Sequence, residues 1–411
     1  MKFLLFLLFL LQSAGAYSQA TDSAAKAIRH YPLIIQDSPS KLFTMRQFSQ
    51  NYLSGYRLMV RGLNSTITKP YYSDLIQLGM QAFFLMPLTH EEGHRSILTA
   101  KGIGSVSQPF FNSQGAAYVN GVTDNVLKNL RDSDFPTYIR LHTAGLESDY
   151  MLTLREETIA SFEQDDFSNF RIEYWVRKIA IMQYYLIGLI KYDMDLKEES
   201  NELNRDIVGL DTYSAARHLF RPTMDFRRYT RYNELAGDEK RFLRRVGYRS
   251  LLNLVNPLMV GRPNFKINET TRLNAGMGYT MAPFGDFIDE NVWVKHRNTN
   301  LHVYFRQFQN KATWFPACGA GLYDVKLMKQ LRCDVVGHFW SQPKELDFNT
   351  SKSFSGGAID AALRYMLFPD LGKVQAISID LGVMAKTKGF LPEEVNMEKG
   401  VSMRFGLSLY Y

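Results

Sequence analysis

Cysteine is scarce in this chain, with two among 411 residues. That excludes a disulfide framework and the cysteine-rich metal sites. Cys318 and Cys333 have no ligand spacing and read as unpaired strand cysteines. Long apolar runs are also missing. Ile179 to Ile190 falls well short of the roughly 20 residues that a bilayer-spanning helix needs, so it reads as a buried core helix. No long run of one charge is present. The formal net charge is +7, but the two signs are interspersed. This predicts a mixed solvated surface and no nucleic-acid partner. No internal repeat or low-complexity segment is visible.

The chain does have a secretory start. Met1-Lys2 precedes an apolar Phe3 to Leu11 and then small residues to Ser18, which predicts a signal peptide over 1–19. The protein is therefore expected to be exported, to the outer membrane or alternatively to the periplasm. The remainder of the chain is long enough for two domains.

One stretch organises the first of them. His90-Glu91-Glu92-Gly93-His94 reads H-E-x-x-H, and residues four apart lie one above the other on a helix. His90 and His94 can then share one Zn²⁺, with the catalytic candidate Glu91 placed to polarise a metal-bound water. The apolar run Leu75 to Met86 predicts a helix leading into the motif, and Ile97 and Leu98 continue it. Pro87 predicts a kink or a fresh helix start, and Gly102 and Gly104 a stop. Further helices are expected around Arg46 to Leu63, Gly121 to Arg131, Leu141 to Tyr192, Asp211 to Phe220 and Glu239 to Val255.

From about residue 268 the apolar period changes from 3.6 to 2. Eight strands are expected, near 271–282, 290–296, 299–309, 315–327, 329–341, 356–368, 374–388 and 400–411. The last runs Val401-Ser402-Met403-Arg404-Phe405-Gly406-Leu407-Ser408-Leu409-Tyr410-Tyr411 and ends on an aromatic. It resembles the C-terminal signal of bacterial outer-membrane β-barrels, and eight strands make the smallest common barrel. The 23 tyrosines and 28 phenylalanines suit aromatic girdles at a membrane interface.

Around His90 to His94 the chain resembles zinc metallopeptidases of the H-E-x-x-H type. The resemblance covers that short motif, and there Glu92 and Arg95 stand where such proteins usually carry uncharged residues. It implies a third ligand from a second helix. Glu147 is the choice, because the neighbouring Gly145 permits close helix approach; Glu202 to Asp206 is the rival. Asp149 would hold a histidine's other nitrogen. His142, His218, Tyr150 and Tyr213 are candidates to stabilise an oxyanion. The arginines between Arg217 and Arg231 read as a polar face joining the two domains, in preference to a lipid-headgroup site.

The expected fold is α+β: a mainly helical, zincin-like domain over 20–262, then an antiparallel outer-membrane barrel of about eight strands over 263–411. The expected function is a zinc-dependent peptidase acting on exported proteins or peptides, with outer-membrane lipid as a further partner. The alternative is a non-catalytic barrel subunit of an outer-membrane assembly or transport complex, its metal site structural or vestigial.

Overall fold

The computed structural model describes residues 29–38, 43–111, 117–193, 198–368 and 374–411, so the signal peptide expected over 1–19 lies outside the described residues. Strand β1 (His30–Ser38) comes first, followed by α1 (Met45–Thr66) and α2 (Pro70–Met80). Helix α2 passes through a π-helical turn, Gln81–Leu85, into α3 (Met86–Ala100). The wider turn sits just ahead of Pro87, which has no N–H to give. The helix therefore runs on where a kink or a new start was expected. A small hairpin, β2 (Val106–Gln108) and β3 (Tyr118–Asn120), precedes α4 (Asp124–Ser133) and α5 (Phe135–Ser161). After these come α6 (Arg171–Leu186), α7 (Asp211–Phe220) and α8 (Gly237–Ser250). The single helix expected to Tyr192 is in fact α5 and α6. Glu163 takes a positive φ of 54° between them, a conformation that cannot continue a right-handed helix.

The second half is a meander of nine strands. These are β4 (Phe265–Asn268), β5 (Thr271–Ala282), β6 (Gly285–His296), β7 (Thr299–Gln309), β8 (Trp314–Lys326), β9 (Leu331–Pro343), β10 (Ser353–Leu367), β11 (Ala376–Lys386) and β12 (Gly400–Tyr410). All eight expected strands are present. Strand β1 returns from the far end of the sequence to pair antiparallel with β12, His30 opposite Tyr410. The sheet thus has ten strands in the order β1-β12-β11-β10-β9-β8-β7-β6-β5-β4. It is open, with β1 and β4 as its edges, and the closed eight-strand barrel expected from sequence is not what forms. Sequence patterning missed β1 because Pro32 interrupts it, and proline is tolerated only where a strand has a free side.

The polarity of this sheet is reversed from that of a soluble one. Phe305, Val335, Phe339, Ile359, Leu363, Leu381, Val383, Val401 and Met403 project outward and are exposed. The alternate residues face inward and include three charge pairs: Asp289 pairs with Arg306 at 2.6 Å, Asp334 with Arg364, and Asp360 with Arg404. Helix α5 lies against this inner face. Tyr150 donates to Asp289 at 2.6 Å, Trp293 donates to Thr158 at 3.0 Å, and Asn274 donates to Ser161 at 2.8 Å. The main apolar core sits beside the sheet, where Leu98, Leu127, Leu141, Ile181, Leu219 and Phe242 from six helices pack together. No described helix is long and apolar enough to cross a membrane.

Arg217, Arg221 and Arg228 pair with Glu234, Glu239 and Asp124, all within the helical part. The polar joint to the sheet is made instead by Arg245 and Arg249, both on Asp286. The expectation for the arginine-rich stretch is corrected accordingly: Arg217, Arg221, Arg227 and Arg228 pair with neighbouring helical segments.

Candidate metal centre

Helices α3 and α5 cross at two glycines. A Cβ on Gly93 would lie 2.5 Å from the carbonyl oxygen of Ala144. One on Gly145 would lie 2.4 and 2.5 Å from the Nε2 atoms of His90 and His94. No larger residue fits either place, so the bare backbone of α5 forms the floor beneath both imidazoles.

The two histidines share one face of α3, as their spacing predicts. His90 Nδ1 lies 2.8 Å from Asp149 Oδ2, and His94 Nδ1 lies 2.6 Å from the carbonyl oxygen of Leu141. A carbonyl only accepts, so Nδ1 of His94 must carry a proton, and Nε2 is the nitrogen turned toward the shared position. Asp149 fixes His90 in the same sense. Asp149 is itself bonded to Arg177, which also reaches Thr89 at 2.7 Å and Glu173 at 2.6 Å. The orientation of His90 is thus held by a buried chain of charge.

Asp211, at the start of α7, completes the group. Its Oδ2 stands 3.2 Å from His90 Nε2 and 3.3 Å from His94 Nε2. Ligand atoms of His90, His94 and Asp211 lie within 4.8 Å of one another, a spread that one cation can span. Burial opposes charge on these groups, but it is outweighed by Asp149 and then Asp211 at His90, by Asp211 at His94, and by the two imidazoles at Asp211. His90 and His94 are held above the ordinary histidine value, and Asp211 well below the carboxylate range. Beside them Glu91 is buried, and burial pushes its carboxyl up to about 7 despite the two imidazoles.

Glu147 is not among these groups. It is two residues past Gly145, about 200° round the helix, whereas Asp149 at four residues returns to the side that faces His90. Its carboxylate instead takes both nitrogens of the buried Arg140, at 2.6 and 3.0 Å, and the backbone N–H of Glu393 at 2.8 Å. The carboxylate that converges with His90 and His94 is thus Asp211, and Glu147, the one chosen from sequence, lies apart from them. Glu147→Ala would strip a buried guanidinium of its counter-ion, at a cost of about 3–5 kcal/mol. A fall in unfolding midpoint with unchanged metal content checks this. Of the rival pair, Glu202 lies away from the histidines and accepts from the Asp124 N–H. Asp206 caps the Val208 and Gly209 N–H groups close to the site, and burial with the nearby charges of Glu91 and Asp211 pushes its carboxyl up to about 8.

The charges that seemed unsuited to a ligand helix neutralise each other. Arg95 makes a two-pronged bond to Glu92, which also accepts from Ser107 at 2.7 Å. Of the oxyanion candidates, Tyr150 and Tyr213 are committed, the first to Asp289 and the second to the carbonyls of Ile187 and Tyr192. His142 and His218 stack at 5.6 Å, and Tyr138 lies 3.1 Å from His218 Nε2. Burial and then the charge of His142 lower His218, and burial lowers His142 against the opposing pull of Asp211, with His94 adding to the fall. Among the described residues, His142 Nδ1 and Nε2 have no hydrogen-bond partner. Sequence reasoning missed Tyr184, whose ring lies 5.5 Å from that of His90. It sits in an otherwise apolar run that gives no signal of a polar role.

No protein-family model matches the chain, and no curated protein is significantly similar to it.

Proposed function

We propose that this protein is a zinc-dependent peptidase of the bacterial outer membrane, acting on exported proteins or peptides. One observation carries the reading: two imidazole nitrogens and a carboxylate oxygen converge over a glycine floor, with a second carboxyl beside them. Two nitrogens and one oxygen are a donor set suited to catalytic zinc, which keeps a fourth position open. His90, His94 and Asp211 would hold the metal. Once bound, zinc supplies Lewis acidity, which acidifies water and polarises a carbonyl. Glu91 takes the proton of the attacking water and returns it to the leaving amine, which suits a carboxyl titrating near neutrality. Asp149, backed by Arg177, accepts the Nδ1 proton of His90 and aims its Nε2 at the shared position.

The membrane half of the proposal rests on the reversed sheet. An exposed apolar face over a charged interior suits hydrocarbon outside and polar surroundings within. The outward apolar residues run over strands of 11 to 15 residues from β7 to β12, enough for the ~9–11 residues that a tilted strand uses to cross.

Metal content tests the site. Purified protein dialysed against zinc should carry about one ion per chain, the stoichiometry of a single tetrahedral site. His90→Ala and Asp211→Ala should each lose it, and Glu147→Ala should keep it. Loss with Glu147→Ala but not with Asp211→Ala would overturn the ligand set. A second reading has one observation in its favour: the side chains of His94 and Asp211 are 1% and 2% exposed, which also suits a structural ion in a non-catalytic subunit of an outer-membrane complex. Zinc retained without cleavage of any exported substrate would select it.

A further inference from the structure

Resting on the membrane reading, we infer that the open sheet is closed by helices into a continuous lipid-facing wall, and that the outer face of α2 contacts acyl chains. An open sheet edge cannot face hydrocarbon, because each unpaired backbone group there costs several kcal/mol. Here β1 and the length of β5 beyond β4 are both covered, while the short edge strand β4 is exposed throughout. Along β1, side chains of α1 take the place of a neighbouring strand. Asn51 donates to the Ile34 carbonyl at 2.8 Å and accepts from its N–H at 2.7 Å. Gln47 donates to the Ile35 carbonyl at 2.9 Å, Ser54 to Pro32 at 2.7 Å and Arg57 to His30 at 3.1 Å. The positions 47, 51, 54 and 57 form one stripe of the helix, so α1 lies along the strand as a ladder of polar side chains.

On the other side, the part of β5 that runs beyond β4 is covered in the same manner. Met277 N–H donates to the Val255 carbonyl at 2.8 Å. Asn253 bonds both backbone groups of Tyr279, at 2.9 and 3.0 Å, and Met281 N–H donates to the Tyr185 hydroxyl at 3.0 Å. Helical segments therefore occupy the gap that strand pairing would fill in a closed barrel.

The next helix outward has the sheet's reversed polarity. On α2 and its π-turn, Ser73, Gln77 and Gln81 point inward and are buried, bonded to Asn64, Tyr56 and Tyr52, the first of these in the tail of α1 and the others further up it. Tyr72, Leu75, Ile76 and Phe83 point outward, 53%, 46%, 43% and 64% exposed. A water-facing helix would have these faces exchanged. Between α2 and β1, the outer stripe of α1 offers Phe48, Gly55, Met59 and Gly62, none of them charged. The uncharged surface is thus continuous from β12 through β1 and α1 to α2. Tyr71 and Tyr72, at the start of α2, suit the headgroup level.

The test uses single-cysteine full-length protein, with Cys318→Ala and Cys333→Ala, in liposomes. Ile76→Cys is compared with Val383→Cys on the sheet and with Lys128→Cys on the exposed polar side of α4, each carrying a fluorophore. Acyl-chain-brominated lipid should quench the label at Ile76 as much as that at Val383, and iodide should quench only that at Lys128. If Val383 is quenched by lipid while Ile76 follows Lys128, or escapes both quenchers beneath a protein partner or second copy, the closure inference fails and the membrane reading stands. If Val383 is also untouched by lipid, the membrane reading fails, and this inference with it.

Discussion

Glu91→Gln leaves the fold and the bound zinc in place and lowers peptide hydrolysis by about 10²–10⁴, the usual worth of a positioned general base. The substitution keeps the shape of the side chain and removes only the ability to accept a proton. The carboxyl is not one of the three converging donors, so metal content should match wild type. Because burial already pushes Glu91 up to about 7, its neutral form is tolerated in place and the amide brings no new buried charge. Turnover of an unfolded exported protein, measured beside zinc content on the same preparations, gives the result. Equal turnover by the two proteins would remove Glu91 from the chemistry and leave the structural-ion reading.

Gly145→Ala should have the other large effect, and through a different cause. The added methyl would sit 2.4 and 2.5 Å from two nitrogens, inside the space that a shared cation would occupy. The helices cannot separate to make room, because Gly93 packs against the backbone of Ala144 at the same crossing. Both imidazoles must therefore turn away, breaking the bonds to Asp149 and Leu141 as well. Loss of zinc is expected, with a stability cost of about 1–3 kcal/mol for overpacking. Gly93→Ala is the comparison: it strains the same crossing from the α3 side without pointing at the ligands. If Gly145→Ala binds zinc as wild type does, the site does not lie over that floor.

Much of this was legible in the chain, and the legible part was periodic. The i, i+4 spacing of His90 and His94, the helix carrying them and the eight alternating strands from Thr271 to Tyr410 arise from local geometry, whatever the surroundings. Asp149 and Gly145 were also within reach, since a small residue and a carboxylate four apart make one helix face. Asp211 was not. It is a carboxylate opening a short helix far along the chain, and nothing local separates it from other helix-start acids. Glu147 looked better because it was nearer to Gly145, yet an α-helix turns it to the opposite side, where Arg140 waits.

Sequence alone thus determined the period of each segment and which residue types recur on each face, because both are set by backbone geometry within a few neighbours. Tertiary structure alone decided which carboxylate meets the two imidazoles, that Pro32 lies in an edge strand beside Tyr410, and that the sheet stays open with helices along its edges. Those are choices between chemically similar partners distant in sequence. They are settled by which buried polar groups find a partner once the helices and strands pack together.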